Sequence, residues 1–192
     1  MNIAYYSCSV CGAQYSPREA GYVCPLDGGN LTIHLEFETS AKKPDPKRVL
    51  RSREPSIWRY LPLLPVNDPG FHGTPLRQVG CTPVYQPERL RQELGLRHLW
   101  VKDESRNPSA SFKDRASALV AARMRMVHQH TVAAASTGNA GAATACMAAS
   151  TGLRAIIFAP RTAPQAKVAQ LLTYGARVIL VDGTYDQAFE LS

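Results

Sequence analysis

The sequence predicts an α/β fold with a doubly wound parallel sheet, preceded by a small cysteine-knuckle module. Three observations carry that prediction. From residue 98 onward, short β-prone runs alternate with helical stretches, the pattern of strands joined by helical crossovers. Three of the five cysteines, Cys8, Cys11 and Cys24, crowd the N-terminus. Between these regions lies a basic, proline-broken stretch, AKKPDPKRVLRSREPSIWRY. The expected organisation is a module over 1–40, a basic linker and arm over 41–70, and the α/β domain over 71–192. With 192 residues, 45% hydrophobic and 19% charged, the chain has enough apolar content for one medium domain plus a module.

The module reads as a miniature fold that cannot bury a core of its own, with β-prone pieces in GYVC and LTIHLEFE. Cys8-Ser-Val-Cys11-Gly12 is a knuckle, its glycine letting the backbone turn toward a metal. Cys24-Pro-Leu-Asp27-Gly28 has the spacing of a second knuckle, with Asp27 where a fourth thiolate is expected. Two readings stay open: a structural zinc held by Cys8, Cys11, Cys24 and Asp27, or a zinc-ribbon-like fold that has lost its metal. The odd number of cysteines suits a reducing, cytoplasmic setting rather than a disulfide framework. No basic-then-apolar segment precedes the first cysteine pair, which argues against secretion.

The linker gathers Lys42, Lys43, Lys47, Arg48, Arg51, Arg53 and Arg59 against Asp45 and Glu54 and reads as a solvated basic run. Beyond it the strands are expected at 98–104, 131–135, 154–159 and 176–181. The helices are expected at 112–127, 139–150 and 164–173, with a last one opening at Tyr185. The stretch from Gln129 to Leu153 lacks any acid, lysine or arginine. It is built of alanine, glycine, serine and threonine, which indicates closely packed backbone rather than a membrane span.

Two motifs fall where such sheets bind ligands, beyond the carboxyl ends of the strands. In SASFKDR, Ser111 and Asp114 suggest a capping-box start, placing Lys113 in the first helical turn between Phe112 and Asp114. A cation gains nothing structurally at a positive dipole end. Partial burial between Ala110 and Phe112 together with that dipole would favour the neutral amine that Schiff-base chemistry needs. The commoner fate of a lysine, a surface position on an amphipathic helix, is the competing reading. In STGNAG, Ser136, Thr137, Gly138 and Asn139 join a strand to a helix, with backbone amides open to an anion and one amide side chain. The stretch has neither a P-loop ending nor the spacing of a dinucleotide fingerprint, so a carboxylate or an aromatic hydroxyl fits it better than a nucleotide.

These motifs, in their order, resemble the fold type II pyridoxal-phosphate enzymes, and most closely the threonine synthase group. The resemblance runs through the N-terminal ribbon, SIWRYLPLLP, TPVYQPERL, LWVKDESRNPSASFKDRAS, STGNAGAA and YGARVILVDGTYDQA. It implies that Lys113 carries pyridoxal 5'-phosphate as a Schiff base and that Asn139 hydrogen-bonds the cofactor's ring oxygen. Ser136, Thr137 and Gly138 would hold the substrate carboxylate; Phe112, Asp114 and Arg115 would position the lysine. The implied reaction converts O-phospho-L-homoserine and water to L-threonine and phosphate, with Lys113 as the proton-moving base. The partner is then a small amino-acid substrate, not nucleic acid or membrane, and the full-length form a homodimer.

The group's glycine-rich phosphate loop and the hydroxyl residue near the pyridine nitrogen have no counterpart here. The expectation is therefore an incomplete enzyme that binds the cofactor poorly and turns nothing over alone. Cysteate synthase, threonine or serine dehydratases and diaminopropionate lyase share the two motifs and stand as alternatives. From another class, the net charge of +7 and the ribbon admit a nucleic-acid module, against which stand Pro44, Pro46 and the lack of a basic aromatic face in the ribbon. A catalytically dead paralogue is the remaining reading.

Overall fold

A computed structural model describes residues 3–19, 21–39 and 43–192. Met1, which begins the expected module, and Lys42 of the basic run lie outside them. The chain divides into two compact units, one of residues 1–54 with 58–68, the other of 55–57 with 69–192.

In the first unit, β1 (Ile3–Cys8) is the central strand of an antiparallel sheet, flanked by β2 (Gln14–Tyr15) and β3 (Leu31–Leu35) in the order β2-β1-β3. Its apolar core is Ile3, Tyr6 and Leu35, with Tyr15, Leu31 and Phe37 against it. So few buried side chains contribute little beside the entropy of ordering the segment. The sequence signal in LTIHLEFE resolves into two pieces, since β3 ends at Leu35 and a helical turn, α1 (Glu36–Thr39), follows. GYVC forms no strand; Val23 makes only an isolated bridge to Asn30.

The charges of the basic run are solvated as expected, Lys43, Lys47, Arg48, Arg51 and Arg53 being exposed, while its backbone and apolar residues are ordered. Asp45 caps α2 (Pro46–Leu50) by accepting from the Lys47 amide at 2.9 Å, and proline starts the helix where no amide partner is required. The Arg59 guanidinium donates to the carbonyls of Val49, Leu50 and Ser52, satisfying the helix's C-terminal end. Trp58 and Val66 are fully buried, at 2% and 1% exposure. Pro46 thus starts a short helix, and Val49 and Trp58 of the run pack while those charges stay in solvent.

In the second unit, β4 (Val84–Tyr85) leads into α3 (Glu88–Glu93) and pairs antiparallel with β5 (Val101–Lys102). The strand expected over 98–104 shrinks to β5 and does not join the parallel sheet, because Asp103 accepts the Ser105 amide and turns Glu104–Arg106 into a 3-10 turn. Next come α4 (Asp114–Met126), β6 (Thr131–Ala135), α5 (Asn139–Thr151), β7 (Arg154–Pro160), α6 (Gln165–Thr173), β8 (Arg177–Val181) and α7 (Tyr185–Glu190). β6, β7 and β8 form a parallel sheet in that order, each pair separated by a helix as predicted. Among the described residues this sheet winds in one direction, without the reversal of strand order that a doubly wound sheet shows.

The alanine-rich stretch became what its composition indicated. On α5, Gly141, Ala142, Ala143, Ala145, Cys146, Met147 and Ala148 are buried, and on α4 so are Ala118, Ala121 and Ala122. Small side chains let α4 approach α5, and α5 approach β7, whose Ala155, Ile157 and Ala159 alternate inward. Gly152 closes α5 in the left-handed conformation at φ 68°. No helix among the described residues is long and apolar enough to cross a membrane.

Candidate functional site

The segment that carries Lys113 is held by side chains on both sides of it. Glu104 takes a two-pronged contact from Arg115, Nε at 2.9 Å and Nη2 at 2.8 Å, and accepts from Thr82 Oγ1 at 3.0 Å. Asn107, buried, donates to Glu104 Oε2 at 2.7 Å and accepts from the Gly80 amide at 2.9 Å. Arg115, with help from Asn107 and Thr82, brings the Glu104 carboxyl down to about 2. A guanidinium fork on a carboxylate fixes orientation as well as charge. The loop between Asn107 and Arg115 is therefore pinned at both ends.

Within that loop, Asp114 is wholly buried and accepts from Ser109, the amide at 2.7 Å and the hydroxyl at 2.6 Å. Burial raises its carboxyl, and the two Ser109 bonds oppose that rise. The capping box expected between Ser111 and Asp114 does not form. Ser111 Oγ accepts from the Lys113 amide at 3.1 Å, while the Asp114 carboxylate turns inward to Ser109. The aspartate is one methylene shorter than the glutamate of a capping box, and Ser109 offers it two donors. α4 consequently begins at Asp114, two residues later than expected, with Lys113 at its N-cap. Lys113 is exposed, and so are Ala110 and Phe112, the latter at 63%. The partial burial expected of the lysine is absent, because Asp114 rather than Phe112 fills the interior. Ala110 has φ 58°, a left-handed conformation rare for alanine, which tightens the turn before the lysine.

The second motif joins β6 to α5. Ser136 is buried, and its hydroxyl accepts from the amides of Gly138 at 3.2 Å and Gly141 at 2.8 Å. That hydroxyl braces the loop by holding the Gly138 and Gly141 amides, which leaves the Asn139 and Ala140 amides and Thr137 to meet a ligand. Asn139, the first residue of α5, is exposed, and its Oδ1 accepts from Lys167 Nζ at 2.8 Å. Lys167 also donates to Gln170 Oε1 at 3.2 Å. An ammonium only donates, so the contact sets the amide's polarity: oxygen to Lys167, NH2 group to the opposite side. The sequence reading passed over Lys167. Its signal was its place in the first turn of a helix that opens just past the next parallel strand, β7.

The helices bearing the two motifs at their N-termini, α4 and α5, pack together, with the hydroxyls of Ser117 and Thr144 3.4 Å apart. An amine, an oriented amide and a helix N-terminus suit a carbonyl cofactor and an anionic substrate.

The model of the family described as pyridoxal-phosphate dependent enzyme matches residues 76–192. The chain belongs to the pyridoxal-phosphate dependent enzyme family. Within that family it is similar to the threonine synthase of Methanosarcina acetivorans, 36% identical over 189 residues, and to that of Methanocaldococcus jannaschii, 37% identical over 185 residues. These alignments cover 97% and 96% of this chain and 45% of each relative, so the chain spans about half the length of the curated relatives it matches. Among solved structures it resembles threonine deaminase isoform 2 from Solanum lycopersicum, at TM-score 0.54 and 27% identity, over 64% of this chain and 36% of that one. It also resembles Escherichia coli diaminopropionate ammonia lyase in complex with an aminoacrylate-PLP azomethine intermediate, at TM-score 0.51 and 28% identity, over 57% and 32% of the two chains. Both motifs lie inside the region that the family model matches.

The first unit holds a separate cluster. Its two knuckles repeat the same hydrogen bonds: the Cys8 amide donates to the Ala13 carbonyl and Gly12 to Cys8, as Cys24 does to Gly29 and Gly28 to Cys24, all between 2.8 and 3.1 Å. Gly12 and Gly28 occupy equivalent left-handed positions at φ 73° and 70°. Asp27 thus stands in its knuckle where Cys11 stands in the other. One ligand atom from each of Cys8, Cys11, Cys24 and Asp27 lies within 4.8 Å of all the others. The Gly29 amide, and after it the Cys11 and Cys24 thiols, bring the Asp27 carboxyl down to about 2.

Proposed function

We propose that this chain holds pyridoxal 5'-phosphate on Lys113 and serves the conversion of O-phospho-L-homoserine and water to L-threonine and phosphate. The observation that carries the reading is Asn139, whose amide oxygen is taken by Lys167 so that its NH2 group is free to donate to an anionic ring oxygen. The cofactor, when bound, supplies the electron sink for carbanion chemistry beside the substrate amine. The chain's own residues supply position and protons. Exposed Lys113 would hold the carbonyl carbon and then move protons at the substrate's α and β carbons. The Asn139 and Ala140 amides at the start of α5, with Thr137, would bind the substrate carboxylate, and Ser136, holding the Gly138 and Gly141 amides, would keep that loop in shape. Asp114 and Arg115 act through the backbone that carries Lys113.

The threonine synthases, at 36% and 37% identity across nearly the whole chain, favour this reaction over the dehydratase and lyase chemistry of the solved neighbours, which match shorter spans at lower identity. Adding pyridoxal phosphate should produce a visible absorption band that disappears in Lys113→Ala. These 192 residues alone are expected to turn nothing over; complemented with the part of a threonine synthase relative that this chain does not span, they should release phosphate and threonine in equal amounts from O-phospho-L-homoserine. A band that persists in Lys113→Ala, or a keto acid with ammonia in place of threonine, would refute the assignment. The first unit stands apart from this chemistry, and its paired knuckles support a zinc-ribbon-like module. That all five cysteines are free suits a reducing, cytoplasmic compartment.

A further inference from the structure

We infer that Cys8, Cys11, Cys24 and Asp27 form a tetrahedral zinc site with three thiolates and one carboxylate, Asp27 being a true ligand rather than the remnant of a lost one. The inference deepens the ribbon reading and is independent of the cofactor chemistry assigned to Lys113. Three observations carry it.

The first is spacing. Bonds of about 2.3 Å to sulfur and about 2.0 Å to oxygen, at tetrahedral angles, separate two sulfurs by about 3.8 Å and a sulfur from an oxygen by about 3.5 Å. Cys11 Sγ and Cys24 Sγ are 3.8 Å apart, and Cys8 Sγ lies 3.3 and 3.5 Å from the two Asp27 oxygens. A disulfide needs sulfurs at about 2.05 Å, so the cysteine pair is spaced for a shared ion, not for a bond between them.

The second is the surroundings of the ligand atoms. Cys8 Sγ accepts from the amides of Val10 at 3.3 Å and Cys11 at 3.5 Å, contacts that stabilise a thiolate. The Tyr15 hydroxyl lies 3.0 Å from Cys24 Sγ. The Gly29 amide donates to Asp27 Oδ1 at 2.8 Å and so directs the carboxylate. A Cβ on residue 29 would come within 2.8 Å of Cys8 Sγ and 3.0 Å of Asp27 Oδ1, so glycine is what allows the two knuckles to close on one centre.

The third is donor chemistry. Three soft thiolates select zinc over magnesium or calcium, and four protein ligands close the coordination sphere, as in a structural rather than a catalytic site. A carboxylate in place of a fourth thiolate lowers the site's charge by none but makes it harder, and it binds zinc less tightly than four sulfurs would. The zinc then supplies the cohesion that the Ile3, Tyr6 and Leu35 core lacks.

The test uses the full chain, purified under reducing conditions and reconstituted with zinc or cobalt. One zinc per chain is expected, released by a thiol reagent. The cobalt form should show the intense visible bands of a tetrahedral thiolate site. Cys24→Ser and Asp27→Ala should weaken zinc affinity by about 100-fold or more, beyond the 10–100-fold typical of losing a supporting contact. Asp27→Cys should tighten it and intensify the cobalt charge-transfer band, a gain that misfolding does not produce. Zinc below a tenth of the chain concentration after reconstitution would overturn the site, as would a Cys11–Cys24 disulfide in the reduced preparation. Wild-type affinity in Asp27→Ala would overturn Asp27 as a ligand. Each of these failures would leave the Lys113 absorption band untouched, so the two assignments fail separately.

Discussion

The small sheet of the first unit and the helices of the second bury their side chains on different scales. The sheet of the first unit has a small apolar core of Ile3, Tyr6 and Leu35 and gathers its polar chemistry at one point, where Cys8, Cys11, Cys24 and Asp27 converge, while Val49, Trp58 and Val66 are buried elsewhere in that unit. The second spreads its cohesion over many small contacts, with alanines of α4 packed on α5 and those of α5 on a parallel sheet, at 0–3% exposure. A unit held at a point fails when that point is removed, whereas a unit held by distributed packing degrades in increments.

The largest break should come from the cluster. Structural zinc contributes on the order of 10 kcal/mol to small metal-stapled folds. Chelation, or Cys24→Ser, should therefore collapse the amide dispersion of residues 3–35 in a heteronuclear NMR spectrum while the helical circular dichroism signal of the alanine-rich helices persists. Preserved dispersion in the chelated protein would show that packing suffices in the first unit too.

Overpacking the second unit is the matching experiment. Ala143 is fully buried on α5, and Ala143→Leu forces three added carbons into a close-packed layer at a cost of about 1–3 kcal/mol. For a chain of this size, thermal unfolding should shift down by about 2–4 °C per kcal/mol. An unchanged melting temperature would mean that the α4–α5 packing is looser than the structure indicates.

The clamp around the lysine loop gives a smaller, pH-dependent effect. Glu104 titrates near 2 in the folded chain against an ordinary 4.5, so its contribution is complete above about pH 4.5 and is lost as the pH falls toward 2. Side chains of Glu104 and Arg115 are 21% and 25% exposed, and solvent screening reduces the contribution to about 1–2 kcal/mol. Urea midpoints compared between wild type and Glu104→Gln should converge as the pH drops from 5 toward 2. Parallel curves across that window would exclude the clamp as the cause.

The smallest effect belongs to the last helix. Thr184 and Gln187 form a reciprocal capping box at the start of α7, and Thr184→Ala should cost about 1 kcal/mol, read as a lower urea midpoint. A loss well above that would mean that Thr184 does more than cap.

What the sequence by itself determined was whatever depends on near neighbours. The strand at 131–135 and the helices over 139–151 and 165–173 were legible because each is an unbroken run of strand- or helix-forming residues, the helices followed by a clear stop at Gly152 or Gly175. The Cys8–Cys11 and Cys24–Asp27 spacings and the places of Lys113 and Asn139 at helix starts were legible for the same reason, since knuckles and helix starts are local devices. Tertiary structure decided the rest. It split LTIHLEFE into strand and helix, and it moved Val101–Lys102 out of the parallel sheet into a pair with Val84–Tyr85. It gave Asp114 to Ser109 rather than to Ser111, leaving Lys113 in solvent, and it set Lys167 against Asn139 from 28 residues away. A side chain's partner is chosen by which donors the fold brings within about 3 Å, and that choice is made after the local elements have formed.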